Sequence, residues 1–358
     1  MKIIQIIPMF GLAGAETMCE NLTNGLIALG QDVRVVSLYD YHSAITDRLE
    51  NNGLKIYYVH KKRGIDPSIV IKLAKLFRKE KPDVVHSHLY ALKYAVFASV
   101  LSGIKVRVHT VHNVATKEMT PKDQKLNYFF YHHMKVVPVS LSQEIQETVI
   151  ERYKLPKKQT PIIYNAIDLN KCIVKKNYSC KDRLKFVHIG RFSKQKNHDL
   201  LLRAFRQVKD AIPNADLSLL GKGELESEVK KLADELELSD SVHFLGVSSN
   251  VYPTLNQADV FVLSSEYEGM PMTIIEAMGT GLPIVSTNVG GISSMVEKDE
   301  EGLLTKCDPE SLASAMIKMN DRELREKCGH NSRKKAEKYF SQDQMARQYL
   351  KLYKSLDR

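Results

Sequence analysis

An alternation that runs the length of the chain most narrows what it can fold into. Short runs of β-branched and apolar residues are each followed by a longer segment with helical periodicity. Parallel strands need a crossover of a dozen or more residues, usually a helix, so this rhythm predicts parallel α/β sheets. In the first half, strands are expected at residues 3–7, 33–37, 84–86, 106–109 and 136–139, with a helix over 16–29 closed by Gly30 as its C′ residue. After Lys171 the rhythm restarts, with strands expected at 186–189, 217–220, 242–245, 260–263 and 284–286. The fold class is therefore α/β with two doubly wound, Rossmann-like domains. The length of 358 residues agrees with two domains. The polar, aperiodic stretch 170–185 reads as a linker between an N-terminal domain over 1–169 and a second domain over 186–340. Residues 341–358 form a closing segment in which Met345, Tyr349 and Tyr353 keep helical spacing. Ligands of such sheets bind beyond the carboxyl ends of the strands, so a cleft between the domains is the expected site.

Charge is unevenly shared. Lys and Arg number 52 against 42 Asp and Glu, a net +10. Up to Asn165 the count is 23 basic against 14 acidic residues, which leaves 29 against 28 for the remainder. Nearly the whole excess thus belongs to the first half, with Lys61, Lys62, Arg63, Lys72, Lys75, Arg78, Lys79 and Lys81 prominent. Such a balance points to an anionic partner. No RNP motif, zinc finger or aromatic-basic repeat accompanies it, so a nucleic-acid partner is not expected. The five scattered cysteines form no C-x-x-C pair and suit a reduced, cytoplasmic compartment. Gln5 and Pro8 cut the N-terminal apolar run below the length of a signal-peptide core, and the run near residues 95–101 is too short to span a bilayer. Neither export nor membrane insertion is expected.

Three stretches can carry chemistry. Gly11-Leu12-Ala13-Gly14-Ala15-Glu16 follows the first strand and opens a helix, so its backbone N–H groups could hold a phosphate or simply make a tight turn. The fingerprint G-x-G-x-x-G is absent here, and Gly221-Lys222-Gly223 lacks the third glycine, which removes the main support for a nicotinamide enzyme. Gly190-Arg191-Phe192-Ser193-Lys194-Gln195-Lys196-Asn197 places two cations, Arg191 and Lys196, on a loop at a strand's carboxyl end, where they could neutralise a diphosphate. In Ser264-Ser265-Glu266-Tyr267-Glu268-Gly269-Met270-Pro271, Pro271 suits the first helical position, which assigns Glu268 to the loop and Glu276 to the following helix. Gly269 and the helix N-terminus add backbone donors suited to an anion. His86-Ser87-His88 ends a strand without further ligands nearby, a pattern that lines a cleft more often than it holds a metal.

Taken with Asp83-Val84-Val85-His86-Ser87-His88, His109-Thr110-Val111-His112, Ser140, Asn165-Ala166-Ile167-Asp168, Phe244-Leu245-Gly246, Gly281-Leu282-Pro283 and Gly290-Gly291, these stretches are matched in order and spacing by one family. The chain resembles the family-4 retaining glycosyltransferases, enzymes of the two-domain GT-B architecture, over nearly its whole length. The resemblance implies that Arg191 and Lys196 bind the donor diphosphate. By the same carry-over, Glu276 binds the ribose hydroxyls and Glu268 lies beside the transferred sugar. His112 matches the histidine that contacts the donor sugar or acceptor region, and Gly14 matches the loop glycine next to the phosphates. Two departures stand out, Ala13 for the first glycine of a Gly-Gly pair and Ala166 for glycine in Asn-Gly-Ile-Asp. The closing segment resembles the family's helix that crosses back to the N-terminal domain.

The expected catalytic groups are then Glu268, His112, Arg191 and Lys196. Gly14, Arg191, Lys196, Gly269, Met270, Pro271 and Glu276 surround the donor. Transfer builds negative charge on a departing diphosphate, which placed cations stabilise. The family pattern needs no metal, and the sequence has neither an Asp-x-Asp pair nor an H-E-x-x-H helix; no cofactor is expected. The implied partners are a nucleotide diphosphate sugar, with UDP the commonest expectation, and a glycan or lipid-linked acceptor, in cell-surface polysaccharide or glycoconjugate synthesis. The +9 half is expected to meet an anionic acceptor at the cytoplasmic face of a membrane. The competing readings are a sugar-nucleotide epimerase or hydrolase of the same fold, and a non-catalytic glycosyltransferase-like subunit.

Overall fold

A computed structural model describes residues 1–180 and 183–357; Lys181 and Asp182, inside the stretch read as a linker, lie outside the described residues. The described chain builds two six-stranded sheets. The first contains β1 (Lys2–Ile7), β2 (Asp32–Ser37), β3 (Ile56–Tyr58), β4 (Val84–His88), β5 (Val106–Val111) and β6 (Val136–Ser140), ordered β3-β2-β1-β4-β5-β6. The second contains β7 (Leu184–Ile189), β8 (Ala215–Leu220), β9 (Val242–Gly246), β10 (Val260–Leu263), β11 (Ile284–Thr287) and β12 (Gly302–Thr305), ordered β12-β11-β10-β7-β8-β9. Every pairing is parallel. Counted from its own first strand, each sheet has the doubly wound order 3-2-1-4-5-6. The order reverses between β1 and β4 in one sheet and between β7 and β10 in the other, so the loops after those strands flank each switch point.

Central strands covered on both faces read as continuous apolar runs. Ile3, Ile4, Ile6 and Ile7 of β1 and all of Val260, Phe261, Val262 and Leu263 in β10 are fully buried, as the apolar runs predict. Two strands escape the sequence pattern, β3 and β12. Both lie at sheet edges, and runs of three and four residues carry little periodic signal of their own. Other boundaries move outward. β4 reaches His88 and β5 reaches Val111, so His88 joins His86 and His109 within strands. The first helix, Gly14–Ala28, begins two residues earlier than expected, and Gly30 follows its cap with φ +73°.

The chain divides into two compact units, Met1–Ala166 together with the segment from Ser341 onward, and Ile167–Phe340. In the first, Ser341 caps the helix Gln342–Leu356 by accepting from the Gln344 amide, and that helix packs on Gly14–Ala28 with Met345, Ala346, Tyr349 and Tyr353 buried. In the second, the stretch from Cys172 to Cys180 has no regular structure, yet it does not hang free. The Lys175 amide donates to the Thr280 carbonyl, its Nζ reaches the Ala258 carbonyl at 2.6 Å and Asp259 at 3.1 Å, and the Tyr178 hydroxyl donates to the Gly281 carbonyl at 2.7 Å. Part of the stretch read as a linker is thus a strap packed into the second unit. Among the described residues no helix is long and apolar enough to cross a membrane.

Candidate active site

In the second unit the loops after β7 and β10 are bolted together. The Ser264 hydroxyl donates to the Lys196 carbonyl at 2.8 Å, the Gln195 amide to the Tyr267 carbonyl at 3.0 Å, and the Glu266 N–H to the Gln195 carbonyl at 2.8 Å. This lattice presses two charged side chains into contact. Lys196 Nζ lies 2.5 Å from Glu268 Oε1, which also accepts from the Ser265 hydroxyl at 2.6 Å. Glu268 is only 5% exposed, so its carboxylate depends on these two donors. An ammonium carries more N–H donors than the single carboxylate oxygen uses, which leaves Lys196 able to bind a further anion.

Glycine lets the surrounding loops close in. Gly290 has φ +58°, and a Cβ there would fall 1.8 Å from the Glu268 carbonyl oxygen. Beside it the Gly291 amide donates to the Gly269 carbonyl at 3.1 Å, and Thr287 donates to the Ser265 carbonyl at 2.7 Å. A Cβ on Gly221 would likewise lie 2.0 Å from the Gly190 carbonyl oxygen. Arg191 behaves differently from Lys196. Its side chain is 73% exposed and turns to Glu224, 3.1 Å away on the loop after β8. Beneath the loop, burial and the nearby Lys196 hold His198 down at about 4, and His188 is also kept uncharged, chiefly by burial.

The helix Met272–Thr280 starts one residue later than expected, with Pro271 as its cap in extended geometry rather than as its first residue. Met270 and Pro271 are buried, and Gly269 lies in the bend that aims the loop at the helix. Glu276 sits mid-helix, partly buried, and burial pushes its carboxyl up to about 8. At neutral pH it carries a proton, so it can donate one hydrogen bond while accepting another. Glu276 lies near enough to Tyr252 and Cys172 to add to the burial that pushes both of those groups up.

In the first unit, Gly14 is the exposed first residue of its helix, and Ala13 before it offers no side-chain cap. The Gly14 and Ala15 N–H groups are therefore left for an anion, while that of Glu16 bonds its own carboxylate. Glu16 is 8% exposed with Oε2 unpartnered, and burial raises its pKa. Four histidines crowd the ends of β4 and β5. His86 Nδ1 meets the Tyr353 hydroxyl at 2.7 Å and its Nε2 meets Thr110 Oγ1 at 2.8 Å, while Thr110 also meets the Tyr349 hydroxyl at 2.8 Å. His88 Nδ1 meets His112 Nε2 at 3.1 Å. Burial drives all four downward, His109 and His112 to about 3, so each ring is neutral near pH 7. The His112 amide donates to Glu118 Oε1 at 3.1 Å, and burial pushes that carboxyl up to about 8. The sequence singled out His112 but missed Glu118, which nothing in its local pattern marks, and showed Gln5 only as a break in an apolar run. Among the described residues no group of three or more His, Cys, Asp or Glu is arranged to hold a metal ion.

Residues 12–171 match the model of Glycosyltransferase Family 4, and residues 172–335 match that of Glycosyl transferases group 1. An uncharacterized glycosyltransferase of Methanocaldococcus jannaschii is 30% identical over 61% of this chain, a match that spans 58% of that relative's length. A UDP-Gal:alpha-D-GlcNAc-diphosphoundecaprenol alpha-1,3-galactosyltransferase of Escherichia coli is 30% identical over 75% of this chain and 74% of its own. Among solved structures, Anabaena HepE in complex with UDP and glucose superposes with a TM-score of 0.87 at 20% identity, covering 99% of this chain and 100% of the other.

Proposed function

This chain belongs to the group 1, family-4 glycosyltransferases and has their GT-B fold, and on that premise we propose that it moves a sugar from a UDP-linked donor to a glycan or lipid-linked acceptor, with retention and without a metal. The observation that carries this reading is the buried contact of Lys196 with Glu268 at the switch point of the second sheet. Breaking the bond between the anomeric carbon and the diphosphate leaves negative charge on the departing group. Lys196, held in place by Glu268, and Arg191, held only by an exposed and therefore weak pair with Glu224, are the cations that take up this charge. Glu268 orients the sugar beside the reacting carbon, and the departing phosphate receives the acceptor proton. Protonated Glu276 suits the adjacent hydroxyls of a ribose, donating to one and accepting from the other. Gly269, Met270 and Pro271 supply the backbone approach to the donor, while Gly14 opens a helix N-terminus to phosphate oxygens.

In this reading most of the donor contacts belong to the second unit. The acceptor belongs to the first, where His112 contacts the sugar or acceptor and where the basic excess lies. The substrate classes agree with the activity of the E. coli relative and with the UDP-bound Anabaena structure. The exposed basic residues Lys75, Arg78 and Lys79 beside exposed Ile71 and Leu101 support attachment at the cytoplasmic face of an anionic membrane. The decisive experiment incubates a panel of nucleotide sugars and lipid-linked acceptors with the wild type and with Glu268→Ala. Transfer with retained anomeric configuration is expected from the wild type and none from a folded variant; wild-type turnover in Glu268→Ala overturns the assignment. Cosedimentation with anionic vesicles at physiological salt checks the membrane part, and its absence removes that part alone.

A further inference from the structure

Gln5 is the one polar side chain in the otherwise isoleucine-built centre of β1, and it is fully buried opposite His86 in the β1–β4 register. An unsatisfied amide there would cost about 1–3 kcal/mol, so each of its atoms needs a partner. Its Nε2 donates to Thr23 Oγ1 at 2.6 Å. Two donors converge on its Oε1, His88 Nε2 at 3.0 Å and the Cys19 thiol at 3.6 Å. From His88 the path continues through Nδ1 to His112 Nε2 at 3.1 Å.

We propose that Gln5 and His88 are positioning residues that lock His112 with its proton on Nε2, so that Nδ1 offers a lone pair to a hydroxyl or amide N–H of the substrate. The polarity follows from chemistry. An amide oxygen has no proton to give, so His88 must carry its proton on Nε2. A neutral imidazole has one N–H, which makes His88 Nδ1 an acceptor and His112 Nε2 the donor to it. Burial keeps both rings neutral, and it keeps the Cys19 thiol protonated as the second donor to Gln5. His112 is only partly buried, so its remaining nitrogen is within reach of a ligand. The inference rests on the reading of His112 as a substrate contact. It adds a specificity rule: the group opposite Nδ1 must donate, so a hydroxyl or an N-acetyl N–H is accepted there and the carboxylate of a uronic acid is refused.

The test uses the full chain labelled with 15N at histidine and long-range proton–nitrogen correlation at pH 7. His88 and His112 are both expected to show the Nε2–H pattern. A proton on Nδ1 of His112 overturns the proposal. Gln5→Leu removes the acceptor and is expected to leave His112 in mixed tautomers, with turnover reduced about tenfold, the worth of one neutral hydrogen bond. His88→Phe breaks the path one link later and gives the same mixing if Gln5→Leu does not fold; an unchanged His112 spectrum in either folded variant overturns the relay. These spectra need no substrate. Correct tautomers without any sugar transfer therefore sink the enzymatic reading and leave the relay standing, whereas transfer with the wrong tautomer does the reverse.

Discussion

The two units have the same strand order, yet they finish their switch points in opposite ways. In the second, a lysine and a glutamate meet in a buried ion pair, braced by serines and closed over by glycine loops. In the first, neutral histidines exchange hydrogen bonds with amides and hydroxyls, and the excess positive charge stays elsewhere on the unit. One topology therefore supplies only the address. The residues placed just after the strands decide whether that address holds charge or directs neutral hydrogen bonds.

The sharpest way to break this contrast is to remove the charge from the second unit. Lys196→Met leaves Glu268 buried with the Ser265 hydroxyl alone. Turnover is expected to fall on the order of 100- to 1,000-fold, as when a charge-stabilising donor is lost. Breaking one side of a buried pair should also cost about 3 kcal/mol of stability. Steady-state transfer and urea unfolding measure the two; a variant with wild-type turnover would show that the pair is only structural.

Protons probe the same contrast next. In the unfolded chain histidines titrate near 6.5, but the folded chain holds His109 and His112 at about 3 and His198 at about 4, with His86, His88 and His188 also well depressed. As pH falls below 6.5 only the unfolded chain takes up these protons, so stability drains away. Four such rings lie in the first unit and two in the second, so hydrogen exchange at pH 5 should show the first unit opening more readily. Carboxyls act in the other direction. Glu118 and Glu276 stay protonated in the fold up to about 8 but ionise from 4.5 in the unfolded chain, so stability falls as pH rises through that window. Glu276→Gln should flatten that slope in the second unit and Glu118→Gln in the first.

How far the sequence reaches is visible in the same residues. The apolar runs of β1 and β10 predict buried central strands because a strand covered on both faces has no polar phase. Arg191, Lys196, Glu268 and Glu276 were singled out through resemblance, but the contact of Lys196 with Glu268 was not, since 72 positions separate them and the β7–β10 adjacency joins their loops. Gln5 was legible only as an interruption of an apolar run. Its role depends on register across β1 and β4 and on a cysteine and a threonine from the following helix. Edge strand β3 was invisible for want of length, and β12 because it opens on Gly302 after the charged run Lys298–Glu301, which reads as a turn.

A backbone test sharpens the comparison further. Gly290→Ala must place its methyl group against the Glu268 carbonyl while holding φ +58°, so either the loop moves or strain is retained. A cost of about 1–3 kcal/mol and a loss of transfer are expected. Gly30 of the first unit has φ +73° with nothing within 4 Å of an added methyl, so Gly30→Ala should cost about 1 kcal/mol and leave transfer intact. Equal losses of activity would mean that positive φ alone, without the close approach, explains the glycine at 290.

The smallest effects separate buried polar contacts from surface charge. Tyr353→Phe removes the partner of His86 Nδ1 in a fully buried site, so an imidazole nitrogen is left unpaired there. Leaving such a group unsatisfied costs about 1–3 kcal/mol. Arg203→Ala in the second unit breaks a bidentate contact with Asp199, but both side chains are at least half exposed, with water and salt ready to replace the partner. A loss of only about 0.3–0.5 kcal/mol is expected, shrinking further as salt is added. The neutral hydroxyl should therefore outweigh the full ion pair, because burial and not charge sets what a missing partner costs. Thermal unfolding of both variants at low and high salt decides it, and a larger, salt-sensitive loss for Arg203→Ala would reverse that ranking.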